Sequence, residues 1–353
     1  MDQPTPEPRT ADIAIAGAGI IGLSLALELR RRGLSVIVLE RAQAMSSASS
    51  AAGGMLAVHD PQNPPALLPL SLLSSQLYPE YLAHIESLSG KQVPLRTRHT
   101  LQYITPGTSI GRPATPSDLA DLAPGLLPEP HTFALLEESS LDPHDLRAAL
   151  PAAFRAAGGI LLEQTDLLHL EAHSASVHLR TSAEPIAAAH FIDCRGAWSG
   201  FLPGLSPVPV VPVKGQMTNL RCPPDRLRCA IRAPGVYLIP RGDGRLAVGS
   251  TLERVGFNQQ PQSETGLRLA EAARQLIPEA QPQQPPQIWA GLRPAAPDDL
   301  PILGPAPEPH CWHATGHYRD GILLAPATAR VLAQAILNEP TDVPLDPYSP
   351  HRF

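Results

Sequence analysis

The sequence predicts an α/β fold in which a strand–turn–helix unit stands near each end of the chain. The first unit spans residues 12–40 and reads as strand, glycine-rich turn, helix and second strand. The second unit, at residues 311–337, reads as strand, Gly-flanked turn and apolar helix. Between them, residues 236–249 contain two short apolar runs around Arg-Gly-Asp-Gly, which predicts a β-hairpin. The middle of the chain is therefore predicted to be rich in hairpins.

The first unit carries a complete G-x-G-x-x-G pattern, which is typical of dinucleotide-binding βαβ units. Gly17 permits a turn that a side chain would block, Gly19 lets the backbone approach a pyrophosphate, and Gly22 lets the helix pack closely on the sheet. The free N–H groups at the start of the helix favour phosphate. Glu40 ends the second strand, where a carboxylate can accept hydrogen bonds from ribose hydroxyls. The motif alone does not choose between NAD and FAD.

The stretch that follows, residues 46–54, consists almost entirely of Ser, Ala and Gly. Such a composition is typical of a flexible linker. It also suits a close-packed turn whose bare backbone passes along a cofactor. Because the stretch comes directly after the βαβ unit, the sequence favours the close-packed turn.

Helical spacing of apolar residues predicts three further helices, at residues 70–88, 143–157 and 263–277. Leu73, Leu77, Tyr81 and Ile85 share one face of the first helix. The third is amphipathic, with Leu267, Ala270, Arg274 and Ile277 spaced along it. Residues 160–163 read as a strand that returns to the main sheet, and residues 167–193 read as a small meander. The alternation of Val and Pro at residues 208–213 predicts an edge strand.

Size and composition exclude several classes of function. A chain of 353 residues can bury a large core in one or two domains. The net charge is −6 without a basic block, so nucleic acid is not an expected partner. No apolar run approaches the ~20 residues of a membrane span, and residues 1–10 read as a loose polar tail rather than a signal peptide. The four cysteines form no disulfide or zinc pattern, and the sequence predicts no metal site. We therefore expect a cytoplasmic protein.

A set of short motifs in the second half of the chain carries a family resemblance. The motifs are Val213-Lys214-Gly215-Gln216, Tyr237-Leu238-Ile239-Pro240-Arg241, Val248-Gly249-Ser250-Thr251-Leu252-Glu253, Trp289-Ala290-Gly291-Leu292-Arg293-Pro294 and Gly316-His317-Tyr318-Arg319-Asp320-Gly321-Ile322. Together with the glycine-rich turn, they resemble the D-amino-acid oxidase (DAO) superfamily of FAD-dependent oxidoreductases. Within that superfamily the likeness is greatest to the glycine oxidase (ThiO) branch, and it covers about residues 10 to 340.

The resemblance implies a Rossmann-like FAD-binding domain of the glutathione-reductase type and a second, antiparallel-sheet substrate domain. The FAD-binding domain would be discontinuous and would comprise residues 1–85, 143–208 and 286–353. The substrate domain would comprise residues 86–142 and 209–285. FAD would be held non-covalently, because no cysteine lies in the Arg293 region, where the sarcosine-oxidase branch attaches its flavin.

The resemblance also implies a reaction. Glycine, sarcosine or a small D-amino acid would transfer hydride from Cα to flavin N5, and O₂ would then reoxidise the flavin. The products would be a 2-oxo acid, ammonia and hydrogen peroxide. In relatives the imine of glycine supplies the thiazole of thiamine, which makes thiazole synthase an expected downstream partner. A homo-oligomer, a homotetramer in relatives, is also implied.

Three side chains are predicted to carry the chemistry. Arg293 of the G-L-R-P motif would bind the substrate carboxylate through two parallel hydrogen bonds, unless it only braces its loop. Tyr237 would contact the same carboxylate or gate the pocket, unless its ring belongs to the core. Arg319 would add positive charge near the substrate, or would form a salt bridge to an acid such as Asp320.

Further residues are assigned to the pocket by the resemblance. Met55 and Leu252 would shape the substrate pocket. Contacts to FAD are implied at Gly17, Gly19, Ile20, Ile21, Gly22, Glu40, Arg41, Ala48, Ser49, Gly53, Gly54, Met55, Leu167, Gly196, His317, Tyr318, Arg319, Asp320, Gly321, Ile322 and Leu323. His317 is not expected to act as a base, and Trp198 is expected to be a packing residue. Lys214 would lie near the flavin or at an exposed strand end, and the sequence favours the exposed end.

Other functions stay open at this point. The chain could be another FAD amine enzyme, such as a D-amino-acid oxidase, a sarcosine oxidase, or a dehydrogenase with a different electron acceptor. It could also be a flavin-binding protein without turnover. The retention of Arg293 and Tyr237 argues against the second of these alternatives.

Overall fold

The computed structural model describes residues 8–105, 107, 109–127 and 132–353. Its strands are β1 Arg9–Ala16, β2 Val36–Leu39, β3 Leu95–Thr97, β4 Thr100–Tyr103, β5 Arg112–Pro113, β6 Phe133–Leu136, β7 Ser140–Leu141, β8 Ile160–Leu162, β9 Leu167–Ala172, β10 Val177–Thr181, β11 Ile186–Asp193, β12 Val211–Arg221, β13 Ala230–Ala233, β14 Val236–Pro240, β15 Arg245–Gly249, β16 Gln281–Pro282, β17 Ile288–Ala295, β18 Ile302–Pro305 and β19 Cys311–Thr315. Its α-helices are α1 Ile20–Arg31, α2 Ala48–Ala51, α3 Leu68–Ser89, α4 Pro116–Leu122, α5 Pro143–Ala156, α6 Ser263–Leu276 and α7 Gly321–Ile336.

Strands from distant parts of the chain form the first large sheet. Its order is β18-β19-β11-β1-β2-β8, with β9 and β10 attached beside β11. The neighbours β19, β11, β1, β2 and β8 run parallel, and helices α1, α3, α5 and α7 pack together around a common apolar core. The predicted α/β fold is confirmed, and so is the return of residues 160–162 to the main sheet. β11 is a central strand as well as the last strand of the predicted meander.

The second large sheet is almost wholly antiparallel and contains nine strands, in the order β16-β12-β15-β14-β13-β4-β6-β5, with β17 also paired to β12. The predicted hairpin at residues 236–249 is confirmed, since β14 and β15 are antiparallel neighbours. The predicted edge strand at residues 208–213 is confirmed for residues 211–213, which pair with β17 alone among the described residues, although the strand begins only at Val211. β15 joins the other side of β12 only from Met217 onward. Pro212 faces Pro294 near the end of the ladder, so two residues without an N–H oppose each other there.

The two sheets suggest where the domains divide. Strands of the first sheet lie within the ranges predicted for the FAD-binding domain, and most strands of the second sheet lie within the other two ranges. β17 differs, because it follows residue 286 and yet pairs with β12 along its whole length. We therefore propose that the last boundary lies after Ala295 rather than at residue 286. Residues 1–7 of the predicted tail lie outside the described part of the chain, whereas Arg9 and Thr10 already belong to β1.

The predicted face of α3 is only partly the buried one. Ile85 is fully buried, whereas Leu73, Leu77 and Tyr81 pack half-buried against the core beside the buried Leu70 and Tyr78. α6 is amphipathic as predicted. Its buried side includes Leu269, Ala270, Ala273 and Leu276 and continues to Ile277, while Leu267 is 63% exposed. The predicted helix at residues 143–157 is confirmed. Asp142 caps it by accepting a hydrogen bond from the N–H of His144 at 3.1 Å, and Pro143 occupies the first turn.

Candidate active site

A single elongated cavity of about 820 Å³ connects residues of both sheets. This volume lies near the upper limit of the ~300–1,000 Å³ that is usual for ligand pockets. One part of its wall, which we call the glycine end, comprises the turn at residues 17–22 and Glu40. Another part, which we call the arginine end, comprises Arg293, Tyr237 and Ser250. The first residues of α7 also line the cavity.

At the glycine end, two glycines are required by the close approach of backbone atoms. Gly17 has φ +104°, and a Cβ atom there would lie 2.4 Å from the carbonyl oxygen of Cys194. A Cβ atom on Gly22 would lie 2.0 Å from the carbonyl oxygen of Gly17. The start of α1 is therefore held against the ends of β1 and β11. Its N-cap, Gly19, provides no side-chain cap, and the N–H of Ile20 donates to Ser49, which leaves the other N–H groups of the first turn to an anion.

Glu40 is fixed in the wall of the cavity by two backbone donors. One carboxylate oxygen accepts a hydrogen bond from the N–H of Ala18 at 2.9 Å, and the other accepts one from Ala42 at 3.0 Å. Each oxygen keeps acceptor capacity for a ligand hydroxyl. Next to it, the Arg41 guanidinium lies 3.7 Å from the ring centroid of Trp198, which stacks on Phe257. Trp198 therefore lines the cavity as well as packing.

The Ser/Ala/Gly stretch forms a close-packed turn, as the sequence favoured. Residues 48–51 form the short helix α2, and the hydroxyl of Ser49 accepts a hydrogen bond from the N–H of Ile20 at 2.9 Å. A Cβ atom on Gly53 would lie 2.7 Å from the side chain of Ile239. A Cβ atom on Gly54, which has φ +82°, would lie 2.2 Å from a backbone oxygen. Small residues are needed here because this turn packs directly against side-chain and backbone atoms of other segments.

The turn before α7 brings four titratable groups to the cavity, those of His317, Tyr318, Arg319 and Asp320. The N–H of Tyr318 donates to the carbonyl of Pro294 at 2.8 Å, which ties the turn to β17. Burial lowers the pKa of His317 to about 3, and its Nε2 lies 3.0 Å from the hydroxyl of Thr328. His317 is therefore neutral at physiological pH. Burial also raises the pKa of Asp320 to about 6, although the nearby Arg319 opposes that shift.

Arg293 provides the guanidinium of the arginine end, and hydrogen bonds to neighbouring residues hold this group in place. It projects from β17 across Gly215, where a Cβ atom would lie 2.2 Å from Nη1. Nη2 donates to the hydroxyl of Ser250 at 2.6 Å, and Nη1 donates to the carbonyl of Thr251 at 3.1 Å. These contacts orient the guanidinium plane in the cavity wall. Nothing in the local sequence around Gly215 or Ser250 predicts these roles.

Tyr237 and the pocket residues lie on the same side of the second sheet. The Tyr237 ring crosses Gly249, where a Cβ atom would lie 2.8 Å from the phenol oxygen. Its hydroxyl lies 3.6 Å from the sulfur of Met217, and Met55 packs in the same cluster. Tyr237 and Met55 both line the cavity. Leu252 also lines it and is 56% exposed.

Arg319 reaches a loop of the first domain. One Nη donates to the side-chain oxygen of Gln62, and the other donates to that of Asn63 at 2.9 Å. The acid within salt-bridge distance is Asp60, at 4.0 Å. The sequence suggests Asp320 as a salt-bridge partner for Arg319, whereas in the structure the partner is Asp60. Arg319 lines the cavity.

Most residues assigned to the cofactor line one continuous cavity. They are Gly17, Gly19, Ile20, Ile21, Glu40, Arg41, Ala48, Ser49, Gly53, Gly54, Met55, Leu167, Gly196, His317, Tyr318, Arg319, Asp320, Gly321 and Ile322. Gly22 and Leu323 are buried and do not form part of the lining. The structure thus brings together segments that are separated by up to 300 residues. Their contacts to a cofactor stay predictions.

Lys214 contradicts the prediction of an exposed strand end. Its side chain is 1% exposed and does not line the cavity. Nζ donates to the carbonyl of Gln260 at 2.6 Å and lies 3.6 Å from a carboxylate oxygen of Glu253. The other carboxylate oxygen of Glu253 accepts hydrogen bonds from Gln216 and from the hydroxyl of Thr251. Lys214 thus supports the segment that holds Arg293.

Comparison with known proteins gives the same family for almost the whole chain. Residues 12–335 match the family described as FAD dependent oxidoreductase (DAO). The chain belongs to this family. It is similar to the glycine oxidase of Pseudomonas aeruginosa, with 33% identity over 96% of this chain and 98% of that protein. The crystal structure of glycine oxidase from Geobacillus kaustophilus superposes with a TM-score of 0.90 at 29% identity, and the match covers 98% and 99% of the two chains.

A third relative is longer than this chain. The bifunctional protein ThiO/ThiG of Nostoc sp. (strain PCC 7120) is 33% identical over 94% of this chain, and the match covers 54% of that protein. The resemblance predicted from the motifs is therefore confirmed. In the described part of the chain, no helix is long and apolar enough to cross a membrane. The same residues contain no group of His, Cys, Asp and Glu that could hold a metal ion.

The cavity fits the FAD of this family. The glycine end offers bare backbone and the start of α1 to a pyrophosphate, and Glu40 offers acceptors to a ribose. The α7 helix points its N-terminus into another part of the same cavity, where its dipole favours negative charge. At Gly53 and Gly54, added side chains would clash with Ile239 and with the backbone of Leu141, so glycine lets this wall of the cavity pack closely against its neighbours. The residues present therefore match an elongated dinucleotide with an anion-stabilising site for its ring system.

Proposed function

We propose that this FAD-dependent oxidoreductase oxidises glycine and other small amino acids, including sarcosine and small D-amino acids. For glycine, the reaction consumes O₂ and water and yields glyoxylate, ammonia and hydrogen peroxide. The observation that carries the proposal is Arg293, a cavity-lining guanidinium whose rear contacts leave its remaining donors for a carboxylate. Its glycine oxidase relatives match over nearly their full length, which supports the same substrate class.

The chain's own residues would bind and orient the substrate. Arg293 would hold the α-carboxylate, and the Tyr237 hydroxyl would stand beside it on the same wall. FAD, when bound, supplies the two-electron acceptor that O₂ restores. Fixing the carboxylate fixes Cα, and this positioning replaces a bimolecular encounter with an oriented one. His317 is neutral and buried, so it is not available as a charged acid–base group.

We further propose that FAD is held without a covalent bond. The four cysteines are buried free thiols. Burial raises the pKa of Cys194 well above its ordinary value, and it raises those of Cys222 to about 11 and of Cys229 and Cys311 to about 12. Thiolates, which would attack a flavin, are therefore scarce at neutral pH. Acid precipitation should release all of the yellow cofactor into the supernatant.

We also propose that this oxidation supplies an imine for thiazole formation, with a thiazole synthase as downstream partner. The support is the relative in which a ThiO part matching this chain is joined to a ThiG part. A homo-oligomer in the cytoplasm completes the proposal. Light scattering of the purified holoprotein would measure the oligomeric state.

A peroxide assay tests the function. Purified yellow protein is mixed in air with glycine, sarcosine, D-alanine or L-alanine, and peroxide and ammonia are measured together. We expect equal amounts of peroxide and ammonia from glycine. Continuous ammonia release without peroxide, seen only when an artificial dye is added as electron acceptor, would assign a dehydrogenase instead of an oxidase. The absence of both products with every amine would refute the proposed function.

A further inference from the structure

Several buried polar atoms that have no hydrogen-bond partner among the described residues lie beside the arginine end of the cavity. Arg232 is 7% exposed, and its Nε and Nη1 have no hydrogen-bond partner among the described residues. The same holds for Oε1 of Gln102, which is 9% exposed, and for Nε of Arg319. All three residues line the cavity. Because leaving buried polar groups unpaired is unfavourable, such a cluster favours an occupant that can satisfy it.

The sheet places two of these side chains in a row with Tyr237. Arg232 on β13 is the register partner of Gln102 on β4 and also of Tyr237 on β14. Residues that are paired across neighbouring strands project from the same face. The three side chains therefore form one stripe of cavity wall. Since strands are ~4.8 Å apart, the stripe extends about 10 Å from Tyr237. It can meet a part of the substrate that lies beyond Cα.

The charges around Arg232 define what this stripe can bind. Nη2 donates to a carboxylate oxygen of Glu138 at 2.8 Å, and Nη1 lies 4.0 Å from Asp60. Arg319 lies 4.0 Å from the same Asp60. Two guanidinium groups thus face two carboxylates, and Asp320 is a third acid nearby. The positive charges of Arg232 and Arg319 are therefore balanced by these carboxylates and do not favour the binding of another anion. The open atoms are donors on Arg232 and an acceptor on Gln102, which a carboxamide or hydroxyl would complement.

We propose that Gln102 and Arg232 form a subsite for a neutral hydrogen-bonding group, a carboxamide or a hydroxyl, at the far end of the substrate. This subsite rests on the proposed amino-acid oxidase function, with the α-carboxylate on Arg293. Glycine leaves the subsite empty, whereas a substrate with a short neutral polar side chain reaches it. Among small amino acids, those with such a side chain are therefore preferred over apolar or acidic ones of the same size.

Three carboxylates without an amine test the subsite apart from turnover. Succinamate, succinate and 4-methylpentanoate have similar shapes and end in an amide, a carboxylate and an isopropyl group. Each is titrated into the holoprotein, and its Kd is read from the perturbed flavin absorbance. We expect succinamate to bind about tenfold more tightly than either of the others. Similar affinities for all three, or tighter binding of succinate, would overturn the proposal.

Two variants assign the preference to these residues. Gln102→Met keeps the length of the side chain and removes the acceptor. Arg232→Lys keeps a cation beside Glu138 and removes the open guanidinium donors. In each, the tenfold preference should fall below about threefold, whereas Arg221→Lys at the outer end of β12 should retain it. An unchanged preference in Gln102→Met would overturn the proposal even if Arg232→Lys does not fold. Because these ligands are not oxidised, a missing preference is distinguishable from a missing glycine oxidase activity.

Discussion

The residues of the glycine end lie close together in the sequence, whereas those of the arginine end come from distant parts of it. At the glycine end, Gly17, Gly22 and Glu40 fall within one βαβ unit, and their spacing alone describes the geometry. At the arginine end, Arg293 is oriented by Ser250 and Thr251, which precede it by 43 and 42 residues. Backbone atoms form the first end, and side chains from neighbouring strands form the second. On the proposed assignment, the first end would recognise a shape common to dinucleotides, and the second would select a substrate.

The largest expected effect comes from filling the tight turn of the glycine end. Gly17→Ala places a methyl group 2.4 Å from the Cys194 carbonyl in a left-handed backbone conformation. We expect the purified variant to lose its bound FAD almost completely, or to unfold, since neither the backbone nor a phosphate can give way. The ratio of flavin to protein absorbance measures this. Gly33→Ala is the matched control, because Gly33 has φ +87° with no atom within 4 Å. It should cost only about 1 kcal/mol and keep its FAD.

Removing the guanidinium should affect the arginine end alone. Arg293→Met is expected to raise the KM for glycine by about 100-fold, because a charged hydrogen bond is worth about 1.5–3 kcal/mol. Flavin content should remain that of the wild type. Steady-state peroxide assays over a range of glycine concentrations provide the measurement. An unchanged KM would remove Arg293 from its proposed role, and loss of FAD would show that the two ends are not independent.

The support behind Arg293 should produce a smaller effect. In Lys214→Met, Glu253 loses its cation, and the Ser250–Glu253 segment that orients Arg293 becomes less fixed. We expect the KM for glycine to rise about tenfold while kcat changes less than threefold. The chain offers a close control in its other lysine, since Lys91→Met removes an exposed ammonium that donates to the carbonyl of Ala148. Equal effects of the two substitutions would contradict the role of Lys214.

The smallest effect concerns Asp320 at the start of α7. Burial raises its pKa from 3.8 to about 6 in the folded protein. The unfolded chain therefore loses this proton first as the pH rises, so the folded state is penalised progressively between pH 4 and 6 and fully above pH 6. Asp320→Asn removes the penalty. Its melting temperature should equal that of the wild type near pH 4 and exceed it by a few degrees at pH 7, because a shift of about two pKa units corresponds to a gain of at most about 3 kcal/mol. A constant difference across this range would contradict the raised pKa.

The contrast between local and long-range contacts also explains which features the sequence could predict. The turn at residues 17–22, the cap at Asp142 and the hairpin of β14 and β15 were predicted because each depends on neighbours in the chain. Lys214 was misplaced because its burial depends on Glu253 and Gln260, which arrive from another part of the sheet. The pairing of β17 with β12 in the second sheet was not predicted for the same reason.

At the substrate pocket, a family motif could identify Arg293 and Tyr237, but no local pattern identified the residues around them. Gly215 is needed because the Arg293 side chain crosses it, and Gly249 is needed because the Tyr237 ring crosses it. The local sequence around Arg232 contains no pattern that predicts a binding site. The open donors of Arg232 become visible only when β4, β13 and β14 are placed side by side.

Anaerobic titration with glycine tests the division between the two ends most directly. Wild-type and Arg293→Met holoproteins are prepared with equal flavin content, and flavin absorbance is followed as glycine is added without oxygen. The wild type should bleach fully, and Arg293→Met should stay yellow until the glycine concentration is about 100-fold higher. If the wild type stays yellow at every concentration, or if both proteins bleach over the same range, the arginine end does not select the substrate as proposed.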